Sequence, residues 1–318
     1  MNADESITPL SNDDLISRWE RDATVRGMSS KTIRNYMYDL KYFIDVLNKI
    51  YKKELSLINV DRMSIRDFID MQRGMGLTTQ TIRHRLTVLS NFYEFLIFEN
   101  LVSQNPVNAV RKRYLSCYKI DSEIQTHKII SVEEAAFLIN SILDIRDKAL
   151  ITLLLKTGIR RGELLSLELS DINWTDNSIL LKPTKKRTNR LVYFDEETAR
   201  VLRRWLRVRN DRNKKNSQAL FISSWGKRIE QGAVQYLIRK AAIRAGLHDM
   251  NSDRMEDHFS AHCCRHWFTT HLRRAGMSRE FIQELRGDVR REAIDIYDHI
   301  DKKELRESYL AHIPQLGI

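Results

Sequence analysis

Five side chains in the second half of the chain have types that could together transfer a phosphoryl group. Arg160 and Arg265 can each hold the non-bridging oxygens of a phosphodiester through a planar guanidinium fork. Tyr297 carries a hydroxyl that can attack phosphorus and form a covalent ester. His262 and Lys185 can accept and donate the protons that such a step moves. The set predicts cleavage of a phosphodiester bond without a metal ion.

Spacing along the chain places some of these residues near one another. Gly158 can end the helix before Arg160, so we expect the Arg160 side chain to project from a helix junction into a cleft. Glu163 follows three residues later and can orient Arg160 or a nearby histidine. His262 and Arg265 are also three apart, so both can point into one pocket from a single helix. Tyrosine has an ordinary pKa near 10 and needs such a neighbour to become a nucleophile.

Three lysines in one hairpin compete for the role of general acid: Lys182, Lys185 and Lys186. A lysine can protonate a departing oxygen once a polyanion and neighbouring arginines change its pKa. Lys185 fits best, because Lys182 would still lie on the earlier strand. The alternative is a solvated basic loop that only contacts phosphates.

The elements that must position these residues fall into two parts. Apolar stripes predict a helix capped by Ser30, a second long helix from Thr79, and two shorter ones, in a bundle of about four helices. Asn105-Pro106 is predicted to end this region, because the residue before proline avoids the helical basin. A basic interdomain linker is predicted over residues 109–127.

The second part is again mostly helical. Ser131 and Glu134 form a capping-box pattern at its start. Three short antiparallel strands are predicted at 172–174, 178–181 and 190–194. The fold class is therefore mainly α with a small antiparallel β-sheet in the C-terminal domain.

Composition narrows the partners and the compartment. The 318 residues are 42% hydrophobic and carry 53 Lys and Arg against 42 Asp and Glu, a formal net charge of +11, which favours a polyanionic partner such as nucleic acid. The three cysteines have no paired-thiol spacing, so a reducing cytoplasm fits best. No apolar run approaches the length of about 20 residues that a bilayer requires, which argues against a membrane protein.

The chain resembles the tyrosine site-specific recombinases, including phage integrases and Xer-like proteins. The resemblance rests on the order and spacing of four segments: TGIRRGEL at 157–164, the hairpin with Lys185, HCCRH at 262–266, and IDIYDH at 294–299. Residues 128–318 are similar to the catalytic domain of that family. The segment from Lys302 to Ile318 resembles the C-terminal helix by which family members dock onto a neighbour, and the alternative is a helix that folds back on its own domain. Residues 11–108 are similar to its helical, SAM-like core-binding domain.

The resemblance implies a site-specific recombinase that cuts and rejoins duplex DNA through a 3′-phosphotyrosyl intermediate. Tyr297 would be the nucleophile, Arg160 and Arg265 the phosphate clamp, His262 the proton acceptor and Lys185 the general acid. The partners implied are double-stranded recombination sites, a homotetramer on paired sites with a Holliday-junction intermediate, and an accessory directionality protein. The biological role would be integration or excision of a mobile element, or dimer resolution. No cofactor and no metal are expected.

One position departs from the family pattern. Many members carry a histidine or tryptophan where this chain has Asp288, in the sequence Arg286-Gly287-Asp288. Asp288 can accept a hydrogen bond from the tyrosine hydroxyl or from Arg265, but a carboxylate beside a phosphate is unfavourable unless it is paired. The Arg-Gly-Asp arrangement resembles that of archaeal recombinases, and this resemblance implies that Asp288 is a variant member of the site.

Four alternatives stay open. A DNA-binding protein of this fold without catalysis would explain Asp288, and a type IB topoisomerase-like enzyme would share the chemistry. His262 and His266, at helical i, i+4 spacing, could hold a structural metal. Tyr309 is the one serious substitute for Tyr297 as the nucleophile.

Overall fold

The computed structural model describes residues 10–115, 129–183, 189–252, 254–288 and 300–318. The chain divides into two compact units, Met1–Glu123 and Ile124–Ile318. Each unit has its own hydrophobic core. Within the described segments, no helix is both long enough and apolar enough to span a bilayer.

The first unit is a bundle of helices. The five α-helices described in this unit are α1 (Asn12–Val25), α2 (Ser30–Tyr51), α3 (Arg62–Gly74), α4 (Thr79–Phe98) and α5 (Pro106–Tyr114). The apolar side chains at its centre are fully buried, among them those of Trp19, Phe43 and Phe92. The long helices at Ser30 and Thr79 agree with the apolar stripes, although the capping side chain of α2 is Ser29, which accepts a hydrogen bond from the Thr32 N–H.

The prediction that this helical region ends at Asn105-Pro106 is wrong. The Asn105 side chain accepts a hydrogen bond from the Val107 N–H, and Pro106 occupies the first turn of α5. Proline is well tolerated there, because that N–H has no partner in a helix anyway. The basic run Arg111 to Arg113 therefore lies in the last turn of α5, whose Val110 joins the core.

The second unit contains eight described α-helices and one sheet. The helices are α6 (Val132–Asn140), α7 (Ile145–Thr157), α8 (Arg161–Ser166), α9 (Glu196–Arg212), α10 (Gln231–Arg244), α11 (Ala261–Arg274), α12 (Arg279–Arg286) and α13 (Lys302–His312). Every residue of α7 from Ala149 to Thr157 is buried, with α9 and α11 packed against it. A helix that is buried on all sides forms the centre of a domain.

The predicted fold class is confirmed, including the small sheet. The strands are β1 (Ile172–Asn173), β2 (Ser178–Leu181) and β3 (Arg190–Tyr193). They form an antiparallel sheet in the order β1-β2-β3. Leu181 pairs with Arg190, which fixes both ends of the β2–β3 hairpin.

Candidate active site

The end of α7 places Arg160 at a helix junction. Gly158 follows the last residue of α7 in a left-handed conformation, with φ of 60°, which glycine adopts without strain. A side chain there would also collide with the ring of Phe268 on α11. Arg160 then becomes the N-cap of α8, and its own N–H donates to Glu163 Oε2 at 2.7 Å. Its side chain stays 34% exposed and can therefore be reached from solvent.

Arg265 approaches the same junction from α11. It is 4% exposed, and its Nη1 donates to the Gly158 carbonyl at 2.7 Å. Its Nη2 donates to the Arg286 carbonyl at 2.8 Å. Burial lowers the pKa of Arg265 to about 10, and the positive charges of Arg160 and Arg286 act in the same direction. The guanidinium is still charged at neutral pH, because that pKa lies about three units higher.

Asp288 joins the two arginines. Its Oδ1 atom accepts from Nη2 of Arg160 and from Nη2 of Arg265, both at 3.2 Å. Its Oδ2 atom lies 2.9 Å from Nε of Arg286. The Arg286 carbonyl also accepts from Nη1 of Arg160 at 3.0 Å. The structure therefore brings Arg160, Arg265 and Asp288 together around one anionic oxygen, and the Asp288 carboxylate is paired.

Glu163 forms hydrogen bonds with Arg160 of this cluster and with Arg190. Its two oxygens accept a fork of hydrogen bonds from Arg190, each at 2.9 Å, and Oε2 also accepts the Arg160 N–H. Burial alone would raise the pKa of Glu163, but the bonds from Arg190 and Arg160 outweigh it and hold that pKa below its ordinary value. Glu163 is 3.5 Å from Nη1 of Arg160, so the predicted orienting contact with Arg160 is present.

Arg190 was missed by the sequence reasoning, which treated it only as the start of a strand. A signal existed, because side chains two apart on a strand share a face. Val192 is an apolar residue suited to the core, so Arg190 had to face the core too. A buried arginine requires an anionic or carbonyl partner. The sequence gives no means of choosing Glu163, which lies 27 residues earlier (190 − 163).

His262 lies in the first turn of α11, three residues before Arg265, as predicted. Its side chain is exposed, and its ring meets that of His266 edge-to-face, with 4.6 Å between the ring centroids. The neighbouring Cys263 and Cys264 are buried in the core. Among the residues that the structure describes, no group of three or more His, Cys, Asp or Glu side chains could hold a metal ion.

Of the three hairpin lysines, only Lys182 lies within the described residues. Lys182 pairs with Glu168 at 2.6 Å, and this hydrogen bond raises the pKa of Lys182. Glu168 also binds Arg228, so Lys182 belongs to a separate ion-pair group. Lys185 and Lys186 lie outside the described residues, as does Tyr297.

The substitute nucleophile, Tyr309, is not available for attack. It is fully buried, and its hydroxyl donates to the Lys156 carbonyl at 2.9 Å. Burial raises the pKa of Tyr309 well above its ordinary value. A buried hydroxyl that already donates a hydrogen bond inside the fold does not reach a phosphate of bound DNA.

The C-terminal segment packs on its own unit. Leu305 and Tyr309 of α13 are buried in the core. The Lys156 ammonium, fully buried in α7, contacts Asp195 Oδ2 at 2.5 Å, Glu197 Oε2 at 2.7 Å and the Pro314 carbonyl at 2.6 Å. Glu197 also accepts the N–H groups of residues 316–318. We name this group, Lys156 with Asp195, Glu197 and residues 314–318, the tail anchor.

Two family models match the chain. One is the N-terminal SAM-like domain of phage integrases, at residues 16–100. The other is the phage integrase family itself, at residues 122–304, which is more than half of the chain. The chain belongs to the phage integrase family. This confirms the resemblance found in the sequence motifs.

Relatives and solved structures agree with this membership. Tyrosine recombinase XerD of Rickettsia conorii is 31% identical over 303 residues, covering 90% of this chain and 94% of the relative. The present chain is thus a tyrosine recombinase, an enzyme of site-specific DNA recombination.

Two solved structures show the same fold at lower identity. The XerH site-specific recombinase bound to its difH substrate matches with a TM-score of 0.65 and 22% identity, over 95% of this chain and 84% of that one. A lambda integrase tetramer bound to a Holliday junction matches with a TM-score of 0.67 and 17% identity, over 91% and 78%.

Proposed function

We propose that this recombinase cuts and rejoins duplex DNA through a 3′-phosphotyrosyl intermediate, with Tyr297 as the nucleophile. The observation that carries the proposal is the convergence of Arg160 and Arg265 on one carboxylate oxygen of Asp288. Two guanidinium groups that share one anionic oxygen can share a non-bridging oxygen of a phosphodiester in the same way.

In the proposed step, the Tyr297 oxygen forms a bond to phosphorus while the bond from phosphorus to the 5′ oxygen breaks. His262 accepts the tyrosine proton, and Lys185 gives a proton to the departing 5′ oxygen. Arg160 and Arg265 stabilise the charge that grows on the non-bridging oxygens. A 5′ hydroxyl from a partner duplex then attacks the phosphotyrosine and reverses the step. The phosphotyrosine ester conserves the energy of the phosphodiester bond, so the reaction consumes no nucleoside triphosphate.

The assembly proposed is a homotetramer on two double-stranded recombination sites that passes through a Holliday junction. Support comes from the shared fold with the lambda integrase tetramer on such a junction. The net charge of +11 fits a DNA partner. The biological role would be integration or excision of a mobile element, with an accessory directionality protein, or resolution of dimers.

The experiment that tests the proposal uses nicked duplexes tiled across the DNA that flanks the gene. Wild-type protein should give a covalent protein–DNA band on a denaturing gel, because the nick lets the 5′ fragment leave and traps the phosphotyrosine. Tyr297→Phe should lose the band. Tyr309→Phe is the matched control and should keep it, because the Tyr309 hydroxyl is buried. A band that survives Tyr297→Phe would overturn the assignment.

Two other outcomes point to the competing functions. If the wild type binds a duplex tightly and never forms the band, it is a DNA-binding protein without catalysis. If it relaxes a supercoiled plasmid that has no recombination site, it acts like a type IB topoisomerase.

A further inference from the structure

Arg190 is buried at the meeting point of three elements of the second unit. It is the first residue of β3 and is only 8% exposed. Its Nη1 and Nη2 atoms hold both oxygens of Glu163 on α8. Its Nε atom donates to the Leu285 carbonyl on α12 at 3.2 Å. One guanidinium therefore connects β3, α8 and the end of α12.

The backbone of α12 comes unusually close to this guanidinium. Gly287 ends α12 with φ of 60°, and a Cβ atom there would lie 2.7 to 2.8 Å from Nη1, Cδ and Cζ of Arg190. A carbon at that distance overlaps the guanidinium, so glycine is required for contact as well as for conformation. The residue after Gly287 is Asp288, which contacts both clamp arginines.

Both contacts of Arg190 lead to the clamp. Glu163 holds the backbone N–H of Arg160. The end of α12 supplies the Arg286 carbonyl, which accepts from Arg160 and from Arg265. Displacement of Arg190 would release both sides at once.

We propose that Arg190 is a positioning residue that holds Arg160 and Arg265 in register for the phosphate, through Glu163 on one side and the end of α12 on the other. This rests on the proposed function for the reaction itself, but the positioning role can be measured without DNA. Arg190 is also the first residue of β3, where it pairs with Leu181 of β2.

The first test replaces Arg190 by lysine, which keeps the charge but cannot form the fork to Glu163 and reach Leu285 together. The matched control is Arg209→Lys. Arg209 is another buried arginine of the same unit, and it binds the carbonyls of Ser217, Ala219 and Leu220 instead. The readout without DNA is amide hydrogen exchange, followed in peptides that cover 279–288.

We expect Arg190→Lys to speed exchange over 279–288 by tenfold or more, and Arg209→Lys to leave these peptides within about twofold of the wild type. Unchanged exchange over 279–288 in Arg190→Lys would overturn the proposal. Equal acceleration in both variants would also overturn it, because the effect would then be general loosening of the unit.

The second test introduces the overlap from the other side. Gly287→Ala pushes a methyl group against the Arg190 guanidinium. Gly246→Ala is the matched control, because Gly246 is also a left-handed glycine after a helix, with φ of 68°, and a Cβ atom there would meet nothing within 4 Å. Both substitutions introduce similar backbone strain, but only one displaces Arg190.

On a nicked duplex that traps the covalent complex, Arg190→Lys and Gly287→Ala should slow single-turnover formation of that complex by about 10- to 100-fold, the penalty of misplacing a catalytic group by about 1 Å. Arg209→Lys and Gly246→Ala should stay within about threefold of the wild type. Equilibrium binding of the duplex should change less than about threefold in all four variants. Weakened equilibrium binding of the duplex, with an unchanged rate of covalent-complex formation, would overturn the positioning role.

The two proposals fail in different ways. If the wild type forms no covalent complex, the proposed function fails, and the hydrogen-exchange comparison still decides whether Arg190 positions α12. If the wild type reacts and exchange over 279–288 does not respond to Arg190→Lys, only the role of Arg190 fails.

Discussion

At the scale of single residues, the candidate site carries an excess of positive charge. Arg160, Arg190, Arg265 and Arg286 face two carboxylates, Glu163 and Asp288, so the cluster has a formal charge of +2 (4 − 2). Arg190 and Glu163 form a buried ion pair, in which the two charges offset each other. The remaining charge lies on the side of Arg160 and Asp288, which is partly exposed, and there it can attract one phosphate.

The sequence motifs predict the side chains that contact DNA in the proposal and the orienting role of Glu163, but they do not predict Arg190. Arg160 and Arg265 stand in short local motifs, and helix geometry alone places His262 and Arg265 on one element. The fork between Glu163 and Arg190 joins residues from a helix and a strand. Such a contact depends on how the sheet packs, which local spacing does not specify.

Replacement of Glu163 by glutamine should change how stability depends on pH. The pKa of Glu163 is held below its ordinary value of 4.5, so its ionised form stabilises the fold above that pH, and this contribution is lost as the pH falls through the lowered folded-state pKa. Glu163→Gln should therefore unfold at a lower temperature than the wild type at pH 7, and the difference should narrow below about pH 4.5. Thermal unfolding followed by circular dichroism from pH 7 to pH 3 measures this.

The control for Glu163→Gln is Glu307→Gln, at an exposed position on α13. Its unfolding temperature should follow that of the wild type at every pH. A gap for Glu163→Gln that stays constant down to pH 3 would show that the ionised carboxylate contributes nothing through its pairing.

At the scale of elements, a helix start and a helix end look alike when proline is the only signal. Asn105-Pro106 predicts a stop because proline restricts the residue before it. The same two residues make a good N-cap and first turn, and Val107 and Val110 then bury one face of α5. Packing decided between the two, and the apolar content of a nine-residue helix was too small to show it.

The β2–β3 hairpin allows the general acid to be tested by comparing its lysines. Lys185→Ala should lower the rate of covalent-complex formation by about 10²- to 10⁴-fold, the usual contribution of a general acid. A substrate whose leaving 5′ oxygen is replaced by sulfur should restore most of that rate, because a thiolate leaves without a proton. Single-turnover assays on both substrates give the comparison.

Lys182→Ala and Lys186→Ala are the controls for Lys185→Ala. Lys182 forms an ion pair with Glu168 at the surface. Its loss should therefore change the rate of covalent-complex formation by no more than about threefold on either substrate. A large, sulfur-rescued loss in Lys186→Ala, with Lys185→Ala near wild type, would move the general acid by one residue.

At the scale of the whole molecule, the tail anchor ties the C-terminus to the centre of the fold. Glu197→Gln should lower the free energy of unfolding by about 2 to 4 kcal/mol, because it leaves the Lys156 ammonium, buried in α7, with one carboxylate instead of two. Chemical denaturation measures the difference.

The neighbouring residue supplies the control for Glu197→Gln. Glu196 pairs with Arg203 at the surface, where its side chain is 62% exposed, so Glu196→Gln should change the free energy of unfolding by no more than about 1 kcal/mol. Equal effects of the two substitutions would mean that the tail anchor contributes little to stability.

The tail anchor also limits which assemblies can form. If the tail left, the group of Lys156, Asp195 and Glu197 would carry a net charge of −1, and the Pro314 carbonyl and the backbone N–H groups of residues 316–318 would lose their partners. An empty anchor is therefore unfavourable, and each copy must have it filled by its own tail or by that of a neighbour. Copies that pass their tails in one direction around a closed ring fill every anchor, whereas an open row leaves one anchor vacant at one end and one tail unbound at the other. In the proposed tetramer, a row of copies that exchanged tails would therefore fill every anchor only by closing into a ring.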